Sequence, residues 1–509
     1  MDPRIKKAFG RAVSFCLAAT VLATSAWQVS SQMVTAAEES KQSVAYAGET
    51  PKYIFLFIGD GMSYPQINAT ADYLGKLAYG DSKVADVNLP FMNFPVAGTA
   101  TTFDSTSLCP DSASTATAIS TGNKTHSGII NMNEDKTITY ETISEKLKNQ
   151  LGYKIGVVTS VSIDHATPAA FYAHQPTRGN YYEIGVELAT SGFDYFAGGG
   201  FLNRTGSDKA QTDLVEVAQN NGYVFLNSKQ DILNYTDTNS KVLAIDPNLD
   251  SQNALSYAIN KDTRGLSLAD YTQKGIELLM NETGFFMMVE GGKIDWAFHA
   301  NDAATTIIET IAFSDAVDVA IDFANKHPEE TLILVTGDHE TGGLTIGFAG
   351  TGYSTYFEKI SETKISYDEF DVLVAQMKSS ITSFHEAMKI VKQHYGLMTV
   401  DDPDASKNPG MVLTPYEQRR LEQAYKAVLH GTAAATYSEE QNILYGTYNP
   451  FSVTITHILN NKAGLAFTSY AHTGLPVPVF ARGVGQDLFH GYYDDTDIFH
   501  RLQAITDIK

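Results

Sequence analysis

Four stretches of the chain are largely apolar and end abruptly in acids and glycines. Tyr53 to Ile58 ends in Gly59-Asp60-Gly61, and Ile155 to Val161 leads into Asp164-His165-Ala166-Thr167-Pro168. Phe285 to Val289 ends in Glu290-Gly291-Gly292, and Thr331 to Thr336 ends in Gly337-Asp338-His339. Runs without strict polar alternation are what parallel strands covered on both faces require. Apolar residues at helical spacing intervene, as in Thr305 to Phe323. This alternation predicts an α/β fold with a doubly wound, mostly parallel central sheet flanked by helices, whose ligands gather beyond the carboxyl ends of the strands.

A second pattern is the near absence of large side chains in Leu108 to Gly122, LCPDSASTATAISTG. Pro110 and Asp111 mark a helix entry and Gly122 an exit, so the stretch predicts a small-residue helix. It is either a tightly packed structural helix or the seat of a nucleophile, Ser112, at a helix N-terminus.

The remaining composition narrows the class. With 509 residues and 43% hydrophobic content the chain can bury a large core. Arg4, Lys6, Lys7 and Arg11 precede an apolar run from Ala12 to about Trp27, and Thr35-Ala36-Ala37 offers a small-residue cleavage site. Residues 1–37 are therefore expected to be a signal peptide, with an uncleaved anchor as the alternative, and the protein to be periplasmic or secreted. Residues 38–509 are expected to be the mature domain. The formal charge is −22, and removing residues 1–37, which carry four bases and one acid, would make it −25. So acidic a surface disfavours a nucleic-acid partner. With Cys16 in the presumed leader, Cys109 is left without a partner for an intrachain disulfide. It is expected to be a buried small residue.

A carboxylate after one strand is ordinarily a cap or turn residue. Asp60, Glu290 and Asp338 after three strands would converge and repel one another unless cations lay between them. In Glu290 to His299, EGGKIDWAFH, a helix beginning after the glycines would put Asp295 and His299 on one face, a spacing that suits Zn²⁺. His472, in YAHTG, is by itself ambiguous.

These motifs together resemble the metal-dependent alkaline phosphatases, from about Lys52 to the C-terminus. The matching stretches are FIGDGM (57–62), PDSASTATAISTG (110–122), DHATPAAFYAHQPTR (164–178), VEGGKIDWAFH (289–299), VTGDHETGG (335–343) and AHTG (471–474). The resemblance implies an enzyme that hydrolyses phosphate monoesters, commonly as a homodimer, with two Zn²⁺ and one Mg²⁺. It implies Asp295, His299 and His472 as ligands of one zinc, and Asp60, Asp338 and His339 as ligands of the other. Asp60 is expected to bridge to the Mg²⁺ site, completed by Thr167 and Glu290 with His165 nearby. Ser112 matches the phosphorylated nucleophile and Arg178 the guanidinium that grips phosphate with its planar fork. The small residues after Ser112 would hold its helix close to the sheet. Ligand types alone leave Co²⁺ or Mn²⁺ open as alternatives.

Two positions depart from the best-studied bacterial members. His165 stands where they have Asp, and Trp296 where they have Lys. Neither supplies the charge of the residue it replaces, so the third metal and the surroundings of the phosphate are expected to differ. Residues 352–452 are expected to be an insertion with helices of its own, Tyr367 to His394 and Pro415 to His430 among them. A related esterase of phosphodiesters or sulfate esters is the runner-up, although Cys109 lacks the sequence context of a sulfatase formylglycine. A non-catalytic metal-binding protein would leave Ser112 and Arg178 without purpose.

Overall fold

The strand that opens the sheet, β1 (Tyr53–Gly59), is buried at all seven positions. The computed structural model describes residues 46–431 and 434–509, and residues 48–509 form one compact unit. Nine further strands join β1 in a single sheet. They are β2 (Val96–Thr101), β3 (Lys154–Thr159), β4 (Tyr195–Gly198), β5 (Tyr223–Leu226), β6 (Lys241–Ile245), β7 (Phe285–Glu290), β8 (Thr331–Gly337), β9 (Val477–Gly483) and β10 (Gly491–Asp494). Their order is β10-β2-β9-β8-β1-β7-β3-β4-β6-β5. Every neighbouring pair is parallel except those on either side of β9. The expected sheet is thus present, with one antiparallel strand.

Successive side chains of a strand leave on opposite faces, and both faces are covered. On one, Tyr53, Phe55 and Phe57 meet Phe313 and Phe323 of the 22-residue helix Ala303–Ala324 at aromatic centroid distances of 5.0 to 6.0 Å. On the other, Phe286 of β7 stacks on Phe171. The residues of 352–452 form helices Tyr367–Ser379, Phe384–Tyr395, Pro415–His430 and Glu439–Tyr445, and Pro450–Ala463 runs through the expected end. The stretch Tyr367 to His394 is two helices, because Ser383 caps the second by accepting from Glu386 N–H and Ile381 takes a positive φ. Phe370, Val374, Val391 and Leu421 join the same continuous core as the β1 aromatics. The signal-peptide reading of residues 1–37 lies outside the described residues.

Register delivers the chemistry. Gly59 pairs with Gly337 and Ile58 with Glu290, while Thr159 also pairs with Glu290. Asp60, Glu290 and Asp338 therefore emerge side by side at one edge of the sheet. Helix Ser112–Thr121 is buried at every position. It packs against the C-terminal helix Thr496–Thr506. At Gly122, with φ of +72°, a Cβ would lie 2.6 Å from the Phe499 ring of that helix.

Candidate active site

Two groups of side chains lie within metal-binding reach, their ligand atoms mutually within 4.8 Å: Asp60 with Asp338 and His339, and Asp295 with His299 and His472. The first group forms because β1 and β8 end in register. Gly61 turns the chain at φ +70°, where a Cβ would crowd Thr341 Oγ1 at 2.8 Å and Asp295 Oδ1 at 2.9 Å, so glycine is required. Asp338 Oδ1 accepts from the N–H groups of Gly61 and His339 at 3.1 and 2.9 Å. Its Oδ2 accepts from Thr115 Oγ1 at 3.2 Å and lies 3.3 Å from His339 Nε2. His339 Nε2 is also 3.4 Å from Asp60 Oδ1.

The second group forms because Lys293–His299 is a helix that places Asp295 and His299 four residues apart. Nε2 of His299 is 3.2 Å from Asp295 Oδ2 and 3.1 Å from Nε2 of His472. Each histidine is held from behind: the Tyr470 carbonyl lies 2.6 Å from His299 Nδ1, and the Pro110 carbonyl lies 2.5 Å from His472 Nδ1. A carbonyl there demands a protonated Nδ1, which makes each Nε2 the ligand atom and turns it toward the other. Asp295 Oδ1 accepts from Thr341 Oγ1. The His339 and His472 rings stack 3.7 Å apart, so the two groups adjoin.

The third cluster is assembled from Asp60, Thr167 and Glu290. Thr167 Oγ1 donates to Asp60 Oδ2 at 3.4 Å, and Thr159 Oγ1 donates to Glu290 Oε2. Asp60 Oδ1 and Glu290 Oε1 are buried without hydrogen-bond partners. His165 stands to one side, with Nε2 3.4 Å from Arg178 Nη2 and its ring edge-on to Trp296 at 5.7 Å.

The electrostatics describe a site short of positive charge. Burial, with the charges of Asp338, Asp295 and Glu290, pushes Asp60 well above the carboxylate range. Burial raises Glu290 to about 8 and Asp338 to about 7, each aided by a neighbouring carboxylate. Burial holds His339 and His472 below the usual imidazole value, and burial with Arg178 brings His165 down to about 3. Against its burial, Asp295 raises His299 to about 9. Orphaned carboxylate oxygens, raised carboxyl groups and imidazoles oriented from behind with Nε2 turned inward are a donor set that fits divalent cations.

Ser112 opens its helix directly after the cap Asp111, and its Oγ lies 3.1 Å from His339 Nε2. Arg178 Nη1 donates to Asp111 Oδ2 at 2.9 Å. All the site residues expected from sequence thus collect at one end of the sheet. Cys109 is corrected: it is exposed, because its N–H donates to Ser107 Oγ and its carbonyl accepts from the same hydroxyl, turning it outward before Pro110 enters the site. Supporting residues that the sequence did not disclose are Thr115, Thr159, Thr341 and Lys293. Lys293 is buried, is paired with Asp250, and lies over the Tyr257 and Trp296 rings at 3.7 and 5.3 Å. Threonines carry no compositional signal of such a role. The register Ile58–Glu290–Thr159 is the feature that identifies one of them.

Fold and site together define an α/β protein whose sheet carries, at one end, side-chain groups suited to divalent cations. The family model described as alkaline phosphatase matches residues 51–508. Alkaline phosphatase 3 of Bacillus subtilis is 30% identical over 456 residues, covering 88% of this chain and 87% of its own length. A cold-active alkaline phosphatase from a psychrophilic Shewanella is similar in structure, with a TM-score of 0.71 and 27% identity over 89% of this chain and 99% of that one. The alkaline phosphatase of Thermus thermophilus shares the fold, with a TM-score of 0.74 at 20% identity over 92% of this chain and 95% of that one. The chain belongs to the alkaline phosphatase family. It is a metal-dependent phosphomonoesterase.

Proposed function

We propose that this enzyme hydrolyses small phosphate monoesters in two displacements at Ser112 and that it works outside the cytoplasm. The observation that carries the reading is the placement of Ser112 Oγ 3.1 Å from His339 Nε2, at a helix start and beside both His-containing ligand groups. Asp295, His299 and His472 would hold one Zn²⁺ and Asp60, Asp338 and His339 a second. Asp60, Thr167 and Glu290 would hold Mg²⁺, with His165 beside them. Bound there, two zincs lower the pKa of nearby hydroxyl groups and offset charge on the entering and leaving oxygens.

Ser112 Oγ attacks phosphorus as the ester oxygen departs to become the free alcohol, and water then cleaves the phosphoserine to release inorganic phosphate. Arg178 presents a planar fork to two phosphate oxygens and is oriented by Asp111. N–H groups in the first turn of Ser112–Thr121 favour the same negative charge. His165, held neutral, does not compete for the phosphate as a cation. A related enzyme from the Antarctic bacterium TAB5 has Mg bound in a site named M3 when one of its histidines is replaced by Asp or Glu. His165 brings no negative charge to the Asp60–Thr167–Glu290 cluster, and we read it as a residue that weakens Mg²⁺ binding here.

Export rests on the basic, apolar and small-residue order of residues 1–37. Among the described residues no helix is long and apolar enough to cross a membrane. A homodimer is part of the same proposal. The test is acid quenching during turnover of a labelled phosphate ester, followed by peptide mapping. Label on the Ser112 peptide is expected, and unlabelled protein at full turnover would exclude the covalent route.

A further inference from the structure

We infer that Glu340 is a positioning residue that fixes the spacing of the two His-containing ligand groups and so sets their affinity for metal. The inference rests on the reading of those groups as metal ligands. Glu340 follows His339 but its carboxylate is fully buried and reaches none of the reacting groups. Oε1 accepts from Gln66 Nε2 at 2.7 Å and from the N–H groups of Gly343 and Leu344 at 3.1 and 3.4 Å. Oε2 accepts from Gly343 N–H at 3.2 Å and from Thr473 Oγ1.

These partners belong to the three segments that carry the ligands. Thr473 follows His472, and a short antiparallel ribbon pairs Thr473 with Glu340 and His472 with Thr341. This pairing accompanies the face-to-face stacking of His339 and His472. Gln66 lies in the first turn of the helix after Asp60. Its Nε2 also donates to the Thr341 carbonyl at 3.2 Å, and its Oε1 accepts from Ser63 N–H at 2.9 Å. Ser63 Oγ in turn donates to the Pro476 carbonyl at 2.6 Å. One carboxylate thus lies where the segments of Asp60, His339 and His472 cross.

The charge of Glu340 matters as well as its shape. Its four donors are an amide, a hydroxyl and two backbone N–H groups, all neutral. A buried anion without a cationic partner is costly, and cations in the adjoining groups would compensate it. Glutamine has nearly the same volume but loses the charge. It also replaces one acceptor with an NH₂ that must face a donor. Residues that orient ligands from behind typically change metal affinity by about 10- to 100-fold.

The test uses purified protein stripped of metal and titrated with Zn²⁺ against a competing chromophoric chelator, with Co²⁺ substitution to record the visible spectrum of the sites. Glu340→Gln is expected to bind zinc about 10- to 100-fold more weakly, with a shifted cobalt spectrum. Wild-type affinity and an unchanged spectrum would overturn the inference. If Glu340→Gln does not fold, Thr473→Ser and Thr473→Val decide: weakening confined to the valine variant upholds the role, and equal affinities overturn it. Should the unsubstituted protein bind no zinc, the metal reading itself fails, an outcome distinct from failure of Glu340 alone.

Discussion

Asp111 binds Arg178 with one carboxylate oxygen and caps the helix of Ser112 with the other. Arg178 Nη1 donates to Oδ2 at 2.9 Å, while Oδ1 accepts from Ser114 N–H at 3.1 Å and from Gly128 N–H at 2.9 Å. Burial would raise Asp111, but the Arg178 guanidinium and these N–H groups hold it below the ordinary carboxylate value. Nucleophile and guanidinium are therefore positioned by one anion, and little ordering remains to be done when phosphate binds.

Arg178→Ala should act chiefly on binding. Loss of a charge-assisted contact costs roughly 1.5–3 kcal/mol, or about 10- to 150-fold in KM and in the inhibition constant of inorganic phosphate. Steady-state kinetics with phosphate inhibition measure both. A fall confined to kcat, with KM and phosphate affinity unchanged, would contradict a role in gripping the phosphate.

Ser112→Ala should lower kcat by orders of magnitude while the metal content of the protein is retained, because the covalent route is lost and the ligand groups are untouched. Elemental analysis and turnover of an aryl phosphate, run on the same preparation, give the two quantities. Near-normal turnover in this variant would mean that water attacks phosphorus directly.

Metal removal should abolish activity and make stability fall with rising pH. Asp338 at about 7, Glu290 at about 8 and His299 at about 9 all lie above their unfolded values. In the metal-free protein the native state binds more protons than the unfolded chain, and that stability is lost as pH rises through these values. The imidazoles of lowered pKa act oppositely, but only below about 6.5. Thermal unfolding of chelated protein between pH 6.5 and 9 should show a declining midpoint, and saturating Zn²⁺ should raise and flatten it. A midpoint that rose across this range would refute the assignment.

His165→Asp should tighten Mg²⁺ binding. It places a carboxylate beside the Asp60–Thr167–Glu290 cluster in place of an imidazole that burial and Arg178 keep neutral. Isothermal titration of Mg²⁺ into the zinc-loaded protein, together with activity against added Mg²⁺, should show higher affinity and greater dependence on Mg²⁺. Superimposable titrations for the two proteins would dispose of the idea.

The sequence by itself determined the centre of the sheet. The four strands it disclosed, β8, β1, β7 and β3, are the four adjacent central ones. Burial on both faces makes central strands read as apolar runs, whereas β4, β5 and β10 have only four residues each and β2, VAGTAT, is buried at alternate positions only. Ligand-type side chains were legible for the same reason, since an acid or histidine directly after an apolar run stands out. Tertiary structure alone decided how these ends meet. It brought His472 from the far end of the chain against His339, set Asp111 between helix and arginine, turned Cys109 to solvent, and placed Lys293 behind Trp296. Hydrophobic periodicity records which residues leave water, because burial is a property of each position. Hydrogen-bond partnership is a property of two positions, fixed by strand register and loop geometry, and composition at either one does not encode it.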